Sequence, residues 1–344
     1  MEATPRTAET DLRADPEHPE EPDRVGYSLA NVVEVLVACL DAAGVSSVVE
    51  VGADRGLLTR ELLDRAGGER GVTAIDPAPA RSLEALQRER PELELIRETS
   101  HDALRHVEMP DAIVIDGDHN YFTVSTELRI IGERAPGADL PLLLFHDVCW
   151  PHARRDSYYV PERIPEEHRQ PLVRDSAILP GEPGTVESGL PVECAAEREG
   201  GERNGVLTAI EDFVSSREGL ELAAIPAFFG LGVLWHREAP WAGAVEAVVR
   251  PLDRHPVLER LEGNRVDHLA GRLSAFRVMM NQHDDIERLT GERDRLAATA
   301  ARQEDLLRRM LDSSAFGLAE RVSRLRQGGR PMFSRDEVRR AIDG

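Results

Sequence analysis

The sequence predicts a doubly wound α/β domain on a seven-stranded sheet whose last strand is antiparallel, followed by a helical appendage. Three observations carry this. Between residues 47 and 147, five short apolar runs alternate with helical stretches. Those runs are apolar at consecutive positions, the pattern of strands buried on both faces by helices packed on either side of a parallel sheet. Near residue 226, two more strand-like runs are separated only by Pro226-Ala227, too short for a parallel crossover, so they form an antiparallel hairpin.

Residues 1–24 carry Pro5, Pro16, Pro19 and Pro22 among many carboxylates and have almost nothing to bury, which predicts a disordered tail. The domain is expected over 25–237. Its first helix spans Tyr27 to Ala43, with Leu29, Val32, Val33, Leu36, Val37 and Leu40 on one face, and Gly44 ends it. Strand 47–52 then leads to helix 57–66, and strand 71–76 to helix 79–89. A short strand near 92–97 precedes a helical stretch at 100–108; strand 111–116 leads to helix 120–134, and strand 140–147 closes the series.

Residues 148–205 break the rhythm with seven prolines from Pro151 to Pro191 and no clear period. A connection that long is functional or disordered. Trp150, His152, Arg154, Arg155, Tyr158 and Tyr159 near its start suit gripping a ligand, so a substrate lid is expected. Helix 206–216 and strands 220–226 and 228–236 complete the sheet.

From 238 to 344 the chain becomes rich in Arg, Glu and Leu. Ile286, Leu289, Arg293, Leu296, Ala300, Gln303, Leu307 and Met310 recur at alternating steps of three and four, as in a coiled-coil seam. Two readings stay open: a homo-oligomer joined through 280–312, or one amphipathic helix lying against its own domain. Gly317, Gly328-Gly329 and Pro331 are expected to end this helix, and 333–344 to form one more.

The 344 residues include 42 Lys plus Arg against 63 Asp plus Glu, a formal charge of −21. Such a surface repels nucleic acid and anionic membranes, and neither is expected as a partner. Cys39, Cys149 and Cys194 are widely spaced and form no C-x-x-C pair, which suits a reducing compartment. No apolar run approaches the roughly 18 residues of a membrane span, and the acidic, proline-rich start is unlike a signal peptide. A soluble, cytoplasmic protein is expected.

Ligands of an open parallel sheet bind beyond the carboxyl ends of its strands. The ends here hold Glu50-Val51-Gly52-Ala53-Asp54-Arg55-Gly56, Asp76, the 98–103 segment, Asp116-Gly117-Asp118-His119 and His146-Asp147. The first is a nucleotide-type cofactor loop or an ordinary tight βα turn. Asp76, 20 residues after Gly56, accepts from ribose hydroxyls or caps the next helix. Asp116, His146 and Asp147 lie at the ends of strands that are neighbours in the usual order, close enough to share one hard cation such as Mg2+ or Mn2+. Asp118 is expected to cap helix 120–134. His119 is either a general base beside that cluster or a hydrogen-bonded histidine at a helix start.

These residues resemble class I S-adenosylmethionine-dependent methyltransferases. The hairpin-terminated strand order, Glu50-Val-Gly52-Ala-Asp-Arg-Gly56 and Asp76 are similar to that family's first two cofactor motifs. Asp116-Gly-Asp-His119-Asn-Tyr121 and Phe145-His-Asp147-Val look like those of the metal-dependent subgroup containing macrocin and related sugar O-methyltransferases. The resemblance covers about 26–237 and implies a Rossmann-like sheet of order 3-2-1-4-5-7-6. It implies that Glu50, Gly52, Ala53, Asp54 and Gly56 cradle the methionine moiety and Asp76 the ribose. Ser100 and His101 fall near adenine, Asp116 borders both cofactor and metal, and Asp116, His146 and Asp147 hold the cation. His119 takes the general-base position. The chain departs from the subgroup by placing His146 where a second acidic ligand is common.

The expected function is O-methyl transfer from S-adenosylmethionine to a hydroxyl of a sugar or polyol, in natural-product or glycan chemistry, with divalent-metal assistance. Two alternatives stand beside it. A nicotinamide-dependent oxidoreductase predicts G-x-G-x-x-G, which residues 50–56 lack. A non-catalytic assembly protein predicts recruitment of partners by the C-terminal helix.

Overall fold

The computed structural model describes residues 27–65, 71–329 and 334–343. The tail expected over 1–24 and Pro331 lie outside the described residues.

Five parallel strands form the first part of the sheet: β1 (Ser47–Val51), β2 (Gly71–Ile75), β3 (Leu93–Ile96), β4 (Ala112–Ile115) and β5 (Leu142–Phe145). A separate antiparallel pair follows, β6 (Leu172–Ile178) and β7 (Leu190–Ala196). The closing hairpin is β8 (Leu220–Ile225) and β9 (Leu231–His236). The main sheet runs β3-β2-β1-β4-β5-β9-β8, and β9 is antiparallel to both neighbours. Counted over sheet strands alone, this is the 3-2-1-4-5-7-6 order with the last strand antiparallel.

Period-two alternation divides the sheet's apolar residues between two layers. On one face, Val48, Val72, Val114 and Leu144 meet α1 (Val33–Ala42), α2 (Leu57–Arg65) and α3 (Arg81–Glu89). On the other, Val49, Ile113, Ile115 and Phe145 meet Leu104, just after α4 (Ser100–Ala103), and the apolar sides of α5 (Tyr121–Arg134) and α6 (Val206–Ser215). Leu36, Leu62, Leu128 and Ile210 are fully buried, each contributing roughly 1.5–3 kcal/mol of transfer free energy.

The sheet unit does not stop at 237. After β9 the chain forms α7 (Ala242–Val249), whose Val245 and Val249 are fully buried in the same layer as α1. The compact unit extends to Ser274 and takes in the first part of α8 (Pro256–Asp312). Here Leu269 and Leu273 pack on Ile178, Leu190 and Val192 of β6 and β7.

The 148–205 segment is an ordered insertion rather than a featureless loop. Arg155 is fully buried and donates to the carbonyls of Ala196, Pro183 and Gly184. Asp156, also fully buried, accepts from the backbone N–H groups of Tyr121 and Gly205 and from the Tyr158 hydroxyl. These bonds tie the insertion to the start of α5 and of α6.

The second unit runs from Ala275. Within it Ile286, Leu289, Leu296 and Met310 are exposed. The helix breaks at Ser313, whose hydroxyl caps α9 (Ser314–Arg326), so Gly317 lies inside a helix instead of ending one. The last short helix is α10 (Arg335–Asp343). Among the described residues, no helix is long and apolar enough to cross a membrane.

Candidate active site at the carboxyl edge of the sheet

The β1–α2 turn is shaped by packing. Gly52 has φ +82°, and a Cβ there would sit 2.1 Å from the Asp116 carbonyl oxygen. Gly56, at φ +76°, faces Leu83 and Leu86 of α3, 3.0 and 3.2 Å from where its Cβ would be. Both glycines therefore satisfy the tight-turn reading, and the case for a cofactor rests on the carboxylates around them.

Glu50, the next-to-last residue of β1, is almost wholly buried, with one oxygen accepting from the Thr59 hydroxyl at 2.6 Å. Burial pushes its pKa up to about 8; the Thr59 bond opposes this, and repulsion from Asp116 and Asp76 adds to it. Asp76 accepts from the backbone N–H of Asp54 and of Ala78, both at 2.8 Å. It does not cap α3, whose N-cap position is Ala80, so the capping reading fails. Its carboxylate instead holds the β1 turn against the end of β2. Ala53 is buried beneath this turn, and Asp54 adopts a left-handed φ of 42°.

Asp116 and Asp147 end neighbouring strands, and with His146 they offer ligand atoms that all lie within 4.8 Å of one another. His146 Nδ1 is 3.0 Å from Asp116 Oδ1 and 3.3 Å from Asp147 Oδ2, while its Nε2 is 2.7 Å from the Phe228 carbonyl. His119 Nε2 lies 3.1 Å from Asp147 Oδ2 and 3.9 Å from Asp116 Oδ1. Asp147 is 2% exposed and has a left-handed φ of 61°, and its Oδ2 is buried without a hydrogen bond. Burial opposes ionisation of Asp147, yet the facing His119 and His146 rings outweigh it and hold the carboxyl well below its usual range. For His146, burial opposes protonation, and Asp147 and Asp116 reverse that.

A buried carboxylate oxygen that accepts no hydrogen bond, gathered with a second carboxylate and an imidazole, fits a divalent cation. Asp116, His146 and Asp147 are the residues present to hold one.

His119 lies against His152, the two rings tilted by 37° with centroids 4.6 Å apart, and meets the exposed Tyr159 ring edge-on at 5.5 Å. Burial pushes His152 down to about 3, so that ring is neutral. Asp118 is not the α5 cap. Asn120 is, accepting from Thr123 N at 2.8 Å, while Asp118 accepts from Asn120 Nδ2 and from the Tyr159 backbone N–H. Asp118 thus fastens the insertion to the rim.

His101 turns toward α5, where Nε2 donates to the Thr123 carbonyl at 3.1 Å and the ring meets Phe122 edge-on. Ser100 reaches the carboxyl of Glu127, which burial pushes up to about 8. Glu127 escaped notice in the sequence, although its place on the apolar stripe of Val124, Leu128 and Ile131 signals a buried carboxyl. His152 was seen only as part of a lid.

A cavity of about 300 Å³ lies at the opposite end of the sheet, lined in part by Gly132, Leu140, Arg217 and His236. Its lining carries one carboxylate, Glu218, and one imidazole, His236, whereas the carboxyl edge brings two carboxylates and two imidazoles together.

No known family pattern matches the chain, and no curated protein is similar to it. Among solved structures, it is similar to an O-methyltransferase from neocarzinostatin biosynthesis bound to S-adenosylmethionine and 2-hydroxy-5-methyl naphthoic acid. That match has 15% identity and a TM-score of 0.35, over 60% of this chain and 55% of the other. Streptomyces venezuelae DesVI matches at 12% identity and a TM-score of 0.35, over 60% and 94%. An S-adenosylmethionine-dependent methyltransferase from Clostridium acetobutylicum ATCC 824 matches at 11% and 0.37, over 63% and 93%. The fold itself rests on the strand order of this chain.

Proposed function

We propose that this protein is an S-adenosylmethionine-dependent O-methyltransferase acting on a hydroxyl of a sugar or polyol, with divalent-metal assistance. The observation that carries the reading is the buried Asp147 Oδ2, which accepts no hydrogen bond, gathered with Asp116 and His146 on the same rim as the Glu50–Gly56 turn. Glu50 couples electrostatically to Asp116 and Asp76 there, and a cationic cofactor suits a rim where these carboxyl groups gather. A nicotinamide ring carries less positive charge than a sulfonium beside an ammonium, and the turn lacks the glycine triplet that a dinucleotide requires.

S-adenosylmethionine supplies an electrophilic methyl group on its sulfonium. Glu50 faces the ammonium end, the β1–α2 turn fixes the methionine moiety, and Asp76 has lone pairs left for the ribose hydroxyls. Ser100 and His101 border the adenine side. A divalent cation, Mg2+ or Mn2+, held by Asp116, His146 and Asp147 would lower the pKa of an adjacent hydroxyl. His119 accepts the proton of the acceptor hydroxyl, and neutral His152 packs against that imidazole. The insertion carries Tyr159 beside His119 and covers the acceptor side. Alignment of oxygen, methyl carbon and sulfur by these fixed elements supplies most of the rate.

The test is calorimetric titration with S-adenosylmethionine, followed by turnover of a panel of sugars and polyols before and after EDTA treatment. Binding, with turnover lost on chelation and restored by added cation, supports the reading. Absence of binding removes it, and full activity after chelation removes the metal. Undiminished turnover in His119→Ala removes the base.

A further inference from the structure

The donors at the rim are not all oxygen. The Phe228 carbonyl can only accept, so His146 Nε2, 2.7 Å away, carries a proton, and Nδ1 is the atom left to offer its lone pair to a cation once that cation displaces the Nδ1 proton. Nδ1 is the atom that faces Asp116 Oδ1 and Asp147 Oδ2 at 3.0 and 3.3 Å. An imidazole anchored through its far N–H on a backbone carbonyl is the usual orientation of a metal-ligating histidine. The carbonyl is itself fixed. Phe228 and Phe229 have left-handed φ values of 50° and 68°, and both of their N–H groups donate to Glu262, which Arg265 holds in turn.

Donors around one cation at about 2.1 Å stand about 3.0 Å apart at right angles and about 3.4 Å apart at tetrahedral angles. The 3.0 and 3.3 Å edges made by His146 Nδ1 fall in this range. The Asp147 Oδ2 atom on the second edge has no hydrogen bond although its residue is 2% exposed. His119 Nε2, at 3.9 Å from Asp116 Oδ1, falls outside the range on that side.

Building on the metal-assisted part of the function above, we propose that this centre takes a first-row transition-metal dication (Mn2+, Fe2+, Co2+ or Zn2+) in preference to Mg2+. His146 Nδ1 is an inner ligand beside Asp116 and Asp147. The chemical reason is ligand type. Mg2+ is a hard ion that favours oxygen donors and retains its waters, whereas imidazole nitrogen raises affinity along the transition-metal series.

The experiment uses the full-length chain, stripped with a chelator and dialysed. Mn2+, Co2+ and Mg2+ are titrated separately and in competition, and pulsed EPR of the Mn2+ form reads coupling to imidazole 14N. The expected result is affinity for Mn2+ or Co2+ at least about tenfold above that for Mg2+. A nitrogen coupling is expected in the wild type and absent in His146→Asp, which also narrows the gap to Mg2+. Equal or tighter Mg2+ binding overturns the proposal, as does a nitrogen coupling that survives in His146→Asp. The wild-type selectivity decides the matter even if that variant fails to fold. Binding of no dication sinks this proposal together with metal assistance, while cofactor titration without metal judges methyl transfer separately.

Discussion

Glu262 accepts the backbone N–H of Phe228 at 2.9 Å, so a side chain from the first part of α8 sets the loop whose carbonyl orients His146. The second Glu262 oxygen takes the Phe229 N–H at 2.8 Å, and Arg265 pairs with the carboxylate at 2.7 Å while stacking over both rings. Glu262→Ala leaves two backbone donors and a guanidinium without this partner. A loss of about 3 kcal/mol is expected in urea denaturation, with weaker dication binding. Unchanged metal affinity in a folded Glu262→Ala protein would disconnect the loop from the site.

The boundary of the sheet unit gives a second expectation. Truncation to 1–274 should leave a cooperatively folded protein. Truncation to 1–237 removes Val245 and Val249 from the layer shared with α1 and costs about 5 kcal/mol. Thermal unfolding of the two fragments, monitored by circular dichroism, checks this. A 1–237 fragment as stable as 1–274 would contradict it.

Gly52→Ala drives a methyl group into the Asp116 backbone, 2.1 Å from its carbonyl oxygen, at a φ of +82°. Strain and displacement of the β1 and β4 ends are expected to cost about 3 kcal/mol or more. Asp116 moves with its backbone, so dication affinity should fall as well. Isothermal titration on the folded fraction measures it.

Glu50 couples cofactor binding to pH. With its pKa at about 8, the free protein holds this proton at neutral pH. A cationic ligand favours the carboxylate, so binding at pH 7 should release up to about one proton, and affinity should rise with pH until about 8 and then level off. Calorimetry in two buffers of different ionisation enthalpy counts the protons. Zero release would turn Glu50 away from the cofactor. In the free protein the folded pKa lies above the unfolded value of about 4.3, so the contribution of Glu50 to stability declines as pH rises between the two.

Arg155→Ala removes the donor that satisfies the carbonyls of Ala196, Pro183 and Gly184. Limited proteolysis should then cut within 148–205 much faster than in the wild type, with the sheet left intact. Equal cleavage rates would mean that β6 and β7 hold the insertion by themselves.

The strands were legible because most are apolar runs between turn residues, and Ile113 to Ile115 or Leu142 to Phe145 admit no other partner than two helical layers. β6 and β7 were hidden for the opposite reason. Their buried side is small, with Ile178, Leu190, Val192 and Ala195 scattered among prolines and charges, and alternation is weak in β6 and short in β7. The rim carboxylates were visible as strand ends. Which one caps which helix was not, since Asn120 and Asp118 are both competent caps and only the docking of Tyr159 separates them. The placement of α7 was missed because a turn at Pro240 looks the same whether the chain leaves a domain or folds back on it.

The glycines of the first turn have a consequence for descent. Gly52 and Gly56 make room for the Asp116 backbone and for two leucines of α3, whether or not anything binds above them. A duplicated copy of this gene that bound nothing at the rim would keep both glycines, because its folding would still require them. It would be free to discard the carboxyl of Asp147, whose buried Oδ2 accepts no hydrogen bond and faces the His119 and His146 rings.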